Sequence, residues 1–354
     1  MARIALGGLP IGTEHKRIAV FSGHDQLGDG LFKLPFVRSL RASFPDAEIH
    51  WVSAYRSVYA GVLAPLVAPF IDRVHIMTDL SQHKRQLIFP PRIPGTPYDI
   101  AIDTQTLFWR SLVVRRGLKP KCFISAAMDY RLSSVQPPDD ARTKPRHFVE
   151  HLLRLAELAA GENFRRDDTP VEIPAELDAL ADTLLPGSGT NGEASPYIGI
   201  APGSGDPAKR WPLERFIALA GHFRERGFRP VFMVGPGEAD LLEPLRTAFP
   251  DALFPEQALP PGKKPGPLLV AALGRRMAGS IANDSGLGHL LAISAKPLVL
   301  LYGRHTPAKY APLVPGLRSV WAQEFGGLDH KLIPLNRVEH EMEAALAQTG
   351  MCRS

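Results

Sequence analysis

Residues 278–303 read AGSIANDSGLGHLLAISAKPLVLLYG, and this stretch decides the fold. Residues 280–282 close an apolar run of strand type, 283–286 form a tight turn, 287–295 take helical spacing, and 297–301 return as a second strand. A helix that begins at such a turn leaves backbone N–H groups unbonded and carries about half a positive charge at that end. It is therefore an anion site, and the expected anion is a phosphate. Asp284 and Ser285 are ordinary N-cap types. Capping and anion binding are compatible, because a cap uses only some of the free N–H groups. His289 follows Ser285 by one helical turn and faces the same side.

Working outward, the second half repeats the pattern. A strand at 197–201 runs into PGSGDPAKRWP and a helix at 213–226; a strand at 230–234 runs into GPGE and a helix at 239–248. Three strand–turn–helix units in succession describe a Rossmann-like domain, although no GxGxxG is present. Ser204 and Gly205 are small enough for close backbone approach, and Lys209 supplies a point charge suited to a diphosphate. Glu238, just past a strand and its turn, is placed to accept from ribose hydroxyls, or simply to favour a helix start. An amphipathic helix at 337–348 ends the reading and is expected to pack back on the first domain.

The first half alternates in the same way. Strands are expected at 17–22, 48–53, 73–77 and 98–103, and helices at 31–44, 57–68, 106–116 and 147–160. This predicts an α/β fold with a parallel, doubly wound sheet, whose ligands lie beyond the carboxyl ends of the strands. Asp29 and Asp103 stand at or near such exits. Each is either a functional carboxylate or a cap, Asp29 of a helix start and Asp103 of a strand end. The stretch 185–196, LPGSGTNGEASP, has linker composition, so the domains are expected to span 1–184 and 197–354.

At 354 residues the chain suits two domains of about 150 residues each. Hydrophobic content of 45% and charged content of 22% are those of a soluble globular protein. No apolar run reaches the roughly 20 residues needed to span a bilayer, and the first residues are too weakly apolar for a signal peptide. A cytoplasmic location is expected. Cys122 and Cys352 have no spacing for a metal or a redox pair. Net charge is +5, and Arg110, Arg115, Arg116, Lys119 and Lys121 fall in a stretch without an acid. Such a patch suits a solvated face, an acidic substrate or anionic lipid head groups; no nucleic-acid motif accompanies it.

LGD with Asp29 and Pro35, YDIAIDTQ with Asp103 and Gln105, PGSGDPAKRWP with Lys209 and Trp211, VGPGE, and NDSGLGHL followed by KPLVLLYG stand in the order seen in family 9 glycosyltransferases. Over residues 17–312 the chain resembles the heptosyltransferases that build the inner core of bacterial lipopolysaccharide. The resemblance implies a GT-B architecture, two Rossmann-like domains facing across a cleft, with acceptor on the first and nucleotide sugar on the second. It implies an inverting transferase that needs no metal or other cofactor and takes an ADP-sugar donor and a glycolipid or glycan acceptor, with peripheral contact at the inner membrane surface. By the same resemblance Asp29 is the general base and Lys209 steadies the diphosphate. Ser204, Gly205, Ser285, Gly286, Leu287 and His289 line the donor pocket, Asp284 fixes its turn and Glu238 holds the ribose. His24, Asp103, Gln105 and Arg110 would meet the acceptor.

The chemistry is consistent with that assignment. Transfer builds negative charge on the leaving diphosphate, so fixed donors and a cation aimed at it lower the barrier. No Asp-x-Asp triplet of the metal-dependent kind occurs, which leaves Lys209 and the helix end to take the ion's part. The chain departs from the family's usual pattern at Gly23-His24-Asp25-Gln26, where a Ser-rich stretch is common, at Gly30, and at Gly303-Arg304-His305-Thr306-Pro307. Two other classes remain open on the sequence: another sugar-nucleotide enzyme of the same fold, such as an epimerase or hydrolase, and a catalytically silent binding protein.

Overall fold

The computed structural model describes residues 16–187, 195–260, 262 and 264–349. The chain divides into two units, Met1–Thr169 and Pro170–Ser354.

In the first unit, β1 (Arg17–Ser22), α1 (Leu27–Ser43), β2 (Glu48–Ser53), α2 (Ala64–Val67) and β3 (Arg73–His75) precede β4 (Ile100–Asp103), α3 (Phe108–Leu118), β5 (Cys122–Ser125) and α4 (Phe148–Ala160). The strands form one parallel sheet in the order β3-β2-β1-β4-β5. Its central strands are apolar on both faces: Ile18, Ala19, Val20 and Phe21 of β1 are fully buried. A sheet covered by helices on both sides requires that pattern.

The second unit contains α5 (Ala175–Leu184), β6 (Tyr197–Ala201), α6 (Leu213–Glu225), β7 (Arg229–Phe232), α7 (Leu242–Ala248), α8 (Leu268–Gly274), β8 (Met277–Asn283), α9 (Gly286–Ile293), β9 (Leu298–Tyr302), α10 (Pro307–Tyr310), β10 (Leu317–Trp321) and α11 (Leu335–Ala347). Its parallel sheet runs β10-β9-β8-β6-β7. The aromatic core of Trp211, Phe216, Phe223 and Phe232 fills one face together with Val338, Met342 and Leu346 of α11. The last helix therefore packs on its own unit's sheet, where the sequence reading had it return to the first domain.

Other differences from the sequence reading have local causes. The units divide at Thr169, ahead of the expected linker at 185–196, because α5 packs on α8 with Arg275 and Arg276 both paired to Asp178. Residues 188–194 of that linker lie outside the described residues. The expected helix at 57–68 is instead a 3-10 turn, Val58–Ala60, followed by the single turn α2, with Gly61 and Pro65 in between and within. The expected helix at 239–248 likewise opens as a 3-10 turn, Pro236–Leu241. Helix α1 starts at Leu27, four residues earlier than expected, and carries Pro35 inside it.

Candidate active site

In doubly wound sheets, ligands bind beyond the carboxyl ends of the strands where the strand order reverses. In the first unit that point lies between β1 and β4, and in the second between β6 and β8. The segments leaving these four strands carry most of the residues singled out by sequence: 23–29 after β1, 103–105 from the end of β4, 202–209 after β6, and 283–289 from the end of β8.

At the first switch point Asp29 is the third residue of α1, and its Oδ2 accepts the Gln26 backbone N–H at 3.2 Å. It is half-buried, so the carboxylate both closes the helix start and meets solvent. The loop before it is held by a buried pair. Asp25 Oδ1 takes the Lys33 ammonium at 2.5 Å and the Ser22 hydroxyl at 2.6 Å, and its Oδ2 takes the Trp51 indole N–H at 2.9 Å. Burial pushes the Asp25 carboxyl up, but Lys33 and the hydrogen bonds outweigh it and hold it below its ordinary value. Asp25 thus stabilises the loop. Gly30 has the same explanation: Tyr59 donates its hydroxyl to the Gly30 carbonyl at 2.6 Å, and a side chain there would strike Val58 and Leu63.

His24 is exposed, edge-on to Tyr55, and the Gln105 side chain lies against Gly23, so both stand at this switch point. Arg110 is half-buried in the first turn of α3, beside the Trp109 ring. Asp103 does not join them. It is 0% exposed, accepts the Gln105 backbone N–H at 3.0 Å and sits among the Ser111 and Ser125 hydroxyls. Burial raises its carboxyl to about 7. Its geometry is that of a buried strand-end cap.

At the second switch point the organising residue is one that the sequence placed in the tight turn without a role. Asn283, fully buried at the end of β8, accepts the Trp211 backbone N–H at 3.0 Å and donates to the carbonyls of Pro202 at 2.8 Å and Gly203 at 3.2 Å. One side chain thereby ties the β6 loop to the start of α9. Ser204 is buried in that loop and Gly205 is open to solvent. Arg210 donates to the Ser204 carbonyl and pairs with Asp240, which leaves Lys209 as the cation of this turn without a carboxylate partner among the described residues.

Ser285 caps α9, its hydroxyl accepting from the Gly288 N–H at 3.5 Å, and Ser285, Gly286 and Leu287 are half-buried. Asp284 does not cap the helix. Its Oδ2 lies 2.6 Å from His305 Nδ1 and its Oδ1 lies 3.6 Å from His289 Nε2. Burial raises the Asp284 carboxyl, but the hydrogen bond from His289 and the charges of both histidines bring it below its usual value. This places an ionised acid beside the start of α9, flanked by two imidazoles. Only the loop departure at 303–307 drew attention to His305, since its partner lies 21 residues away.

Glu238 is buried, and its Oε2 accepts the Gly235 N–H at 3.0 Å. Its carboxylate fills the space that a side chain at Gly203 would need, so only glycine fits there. Burial raises the Glu238 carboxyl, and burial together with the Glu238 charge raises Glu256 to about 7. Both acids lie by the second-unit site, and Glu256 was not foreseen.

A sequence profile of the family described as Glycosyltransferase family 9 (heptosyltransferase) matches residues 91–329. Lipopolysaccharide heptosyltransferase 3 of Escherichia coli (strain K12) is 23% identical over 315 residues, covering 84% of this chain and 86% of that protein. Among solved structures, the glycosyl transferase family 9 from Veillonella parvula DSM 2008 matches with a TM-score of 0.65 at 22% identity, over 95% of this chain and 98% of that one. The structure of E. coli ADP-heptose lps heptosyltransferase II matches with a TM-score of 0.62 at 22% identity, over 94% and 99%. These structures share the fold, GT-B with two Rossmann-like domains. With profile and fold in agreement, the chain belongs to glycosyltransferase family 9.

Proposed function

We propose that this enzyme transfers a heptose or closely related sugar, with inversion, from an ADP-sugar to a lipopolysaccharide-core or related glycan acceptor, without a metal ion. The names of its relatives, a lipopolysaccharide heptosyltransferase and an ADP-heptose lps heptosyltransferase, support the substrate class. The observation that carries the reading is the chemistry of the two switch points: a half-exposed carboxylate at one, and at the other a lysine with no carboxylate partner among the described residues, with the start of α9. In the proposed reaction Asp29 takes the proton from the acceptor hydroxyl as its oxygen bonds to the anomeric carbon from the face opposite the diphosphate. The bond from that carbon to the phosphate oxygen breaks, and its electron pair leaves with the diphosphate. Lys209 and the N–H groups of Gly286 and Leu287 receive the charge. Glu238, whose Oε1 makes no bond to a described residue, would accept from a ribose hydroxyl. His24, Gln105 and Arg110 would border the acceptor.

The test separates binding from chemistry. Asp29→Ala should lose about a hundredfold to ten-thousandfold in kcat, because a general base acts in the transition state. ADP affinity by calorimetry should stay within about twofold, since Asp29 contributes little to ground-state donor binding. Loss of ADP affinity in parallel with kcat would remove the assignment. Release of ADP by the parent enzyme at full rate without any acceptor would favour a hydrolase instead.

A further inference from the structure

Away from both switch points, the first unit displays an apolar pair that its own fold does not use. Ile88 and Phe89 are 69% and 78% exposed, the highest values among the exposed large hydrophobic side chains of the described residues. Leaving such side chains in water forgoes the gain of burying them, and a loop free to collapse would cover them. This loop is not free. Gln86, itself buried, donates from Nε2 to the Asp79 carbonyl at 2.6 Å and accepts at Oε1 from the backbone N–H groups of Gln82 at 2.9 Å and His83 at 3.3 Å. The N–H groups of Ile88 and Phe89 both bond the Arg85 carbonyl at 3.1 Å. Leu80 before the turn and Ile93 after it are in the core, Leu80 against Gly117 of α3. The 3-10 turn Lys84–Leu87 is therefore fixed at its base and presents Ile88 and Phe89 outward.

Charge identifies what they meet. Lys84, Arg85 and Arg92 flank the pair and are exposed, and no acid occurs between residues 80 and 98. Helix α3, on which the turn packs, adds exposed Arg115, Arg116 and Lys119. The next acid along the chain, Asp99, is already paired with Lys121 at 2.8 Å. A second copy of this chain would set like charges against like. Nucleic acid would use the cations but not the apolar pair. Both are used by a membrane surface, where apolar side chains enter the acyl boundary and lysine and arginine meet anionic head groups. We propose that residues 84–92 form a docking knob for an anionic lipid bilayer, with Ile88 and Phe89 as its wedge. The proposal assigns a place in the fold to the membrane contact that the resemblance implies, and it does not depend on sugar transfer, since vesicle binding needs neither donor nor acceptor.

Co-sedimentation of the full chain with vesicles tests it directly. Binding is expected to vesicles containing about one-third phosphatidylglycerol and not to phosphatidylcholine alone, and should weaken as salt is raised. The double variant Ile88→Ser/Phe89→Ser should bind those vesicles at least about tenfold more weakly. Lys84→Gln and Arg85→Gln should each cost about fivefold. All four positions are exposed, so thermal unfolding should match the parent. Phe89→Trp should keep binding, and its added emission should be quenched by lipids brominated on the acyl chain. Equal binding to neutral vesicles, no binding to either, parental binding by the double variant, or an unquenched Trp at 89 would each overturn the proposal. So would a parent that self-associates in sedimentation equilibrium when the double variant does not, because the pair would then join copies of this chain.

Discussion

The two switch points are built from the same part, a parallel strand feeding a helix, and they end with opposite electrostatics. In the first unit the helix start is occupied by the chain's own acid: Asp29 sits in the first turn of α1, behind a loop braced by Asp25 and Lys33. In the second unit the first turn of α9 has no acid, its nearby Asp284 is held between two histidines, and Lys209 has no carboxylate partner among the described residues. The difference teaches that one βα unit serves as a source of negative charge or as a receiver of it. Which one depends on whether the chain fills the helix end itself or leaves it open.

The comparison can be broken most forcefully at the brace. Asp25→Ala strands the Lys33 ammonium in the interior and should cost about 3–5 kcal/mol in urea unfolding. Adding Lys33→Met should recover most of that loss; a single variant as stable as the parent would mean the pair supports nothing. Because the folded Asp25 carboxyl is depressed, its contribution is present above the unfolded value, 3.8, and is lost as pH falls through the folded one.

Next in size is Lys209→Ala, which should lower kcat/KM by about a hundredfold to a thousandfold. It should also weaken ADP binding by about tenfold, in contrast to Asp29→Ala. An unchanged ADP affinity would remove Lys209 from the receiving end.

Asp103 sharpens the comparison through stability. Between 3.8 and about 7 the unfolded chain has released this proton and the folded chain has not, so stability falls as pH rises across that window. Asp103→Asn should flatten the melting temperature over the same range, leaving a smaller slope of the same sign from Glu256. A slope equal to the parent's would show that Asp103 titrates normally. The smallest effect is expected at His305: His305→Ala removes one of the two imidazoles on Asp284 and should weaken ADP binding about threefold to tenfold. Tighter binding would contradict a screening role for that ring.

Strand exits were legible in the sequence because they lie between two strong signals, an apolar run and a small-residue turn. Asp29, Lys209 and Ser285 were placed at strand exits that way, and the structure has them there. The start of α1 was misplaced because Gly30 reads as a helix breaker, while the structure keeps it helical for the Tyr59 hydroxyl and the side chains around it. Asp103 shows what sequence does not carry: a carboxylate after a strand looks the same whether it is open to solvent or turned into its own loop, and only the burial of the folded chain tells them apart. The Asp284–His305 contact was illegible for a different reason. It joins the exits of neighbouring strands β8 and β9, and no local period connects positions that meet only through sheet order.

The amide of Asn283 has one more consequence. Since a single side chain bonds the backbone of 202, 203 and 211 at once, the loop after β6 is tied directly to the start of α9. On the proposed function, an arriving nucleotide would have little of this floor left to freeze, and more of its contact energy would survive as affinity. Trimming that amide would then loosen the grip on every donor alike, whatever sugar it carried.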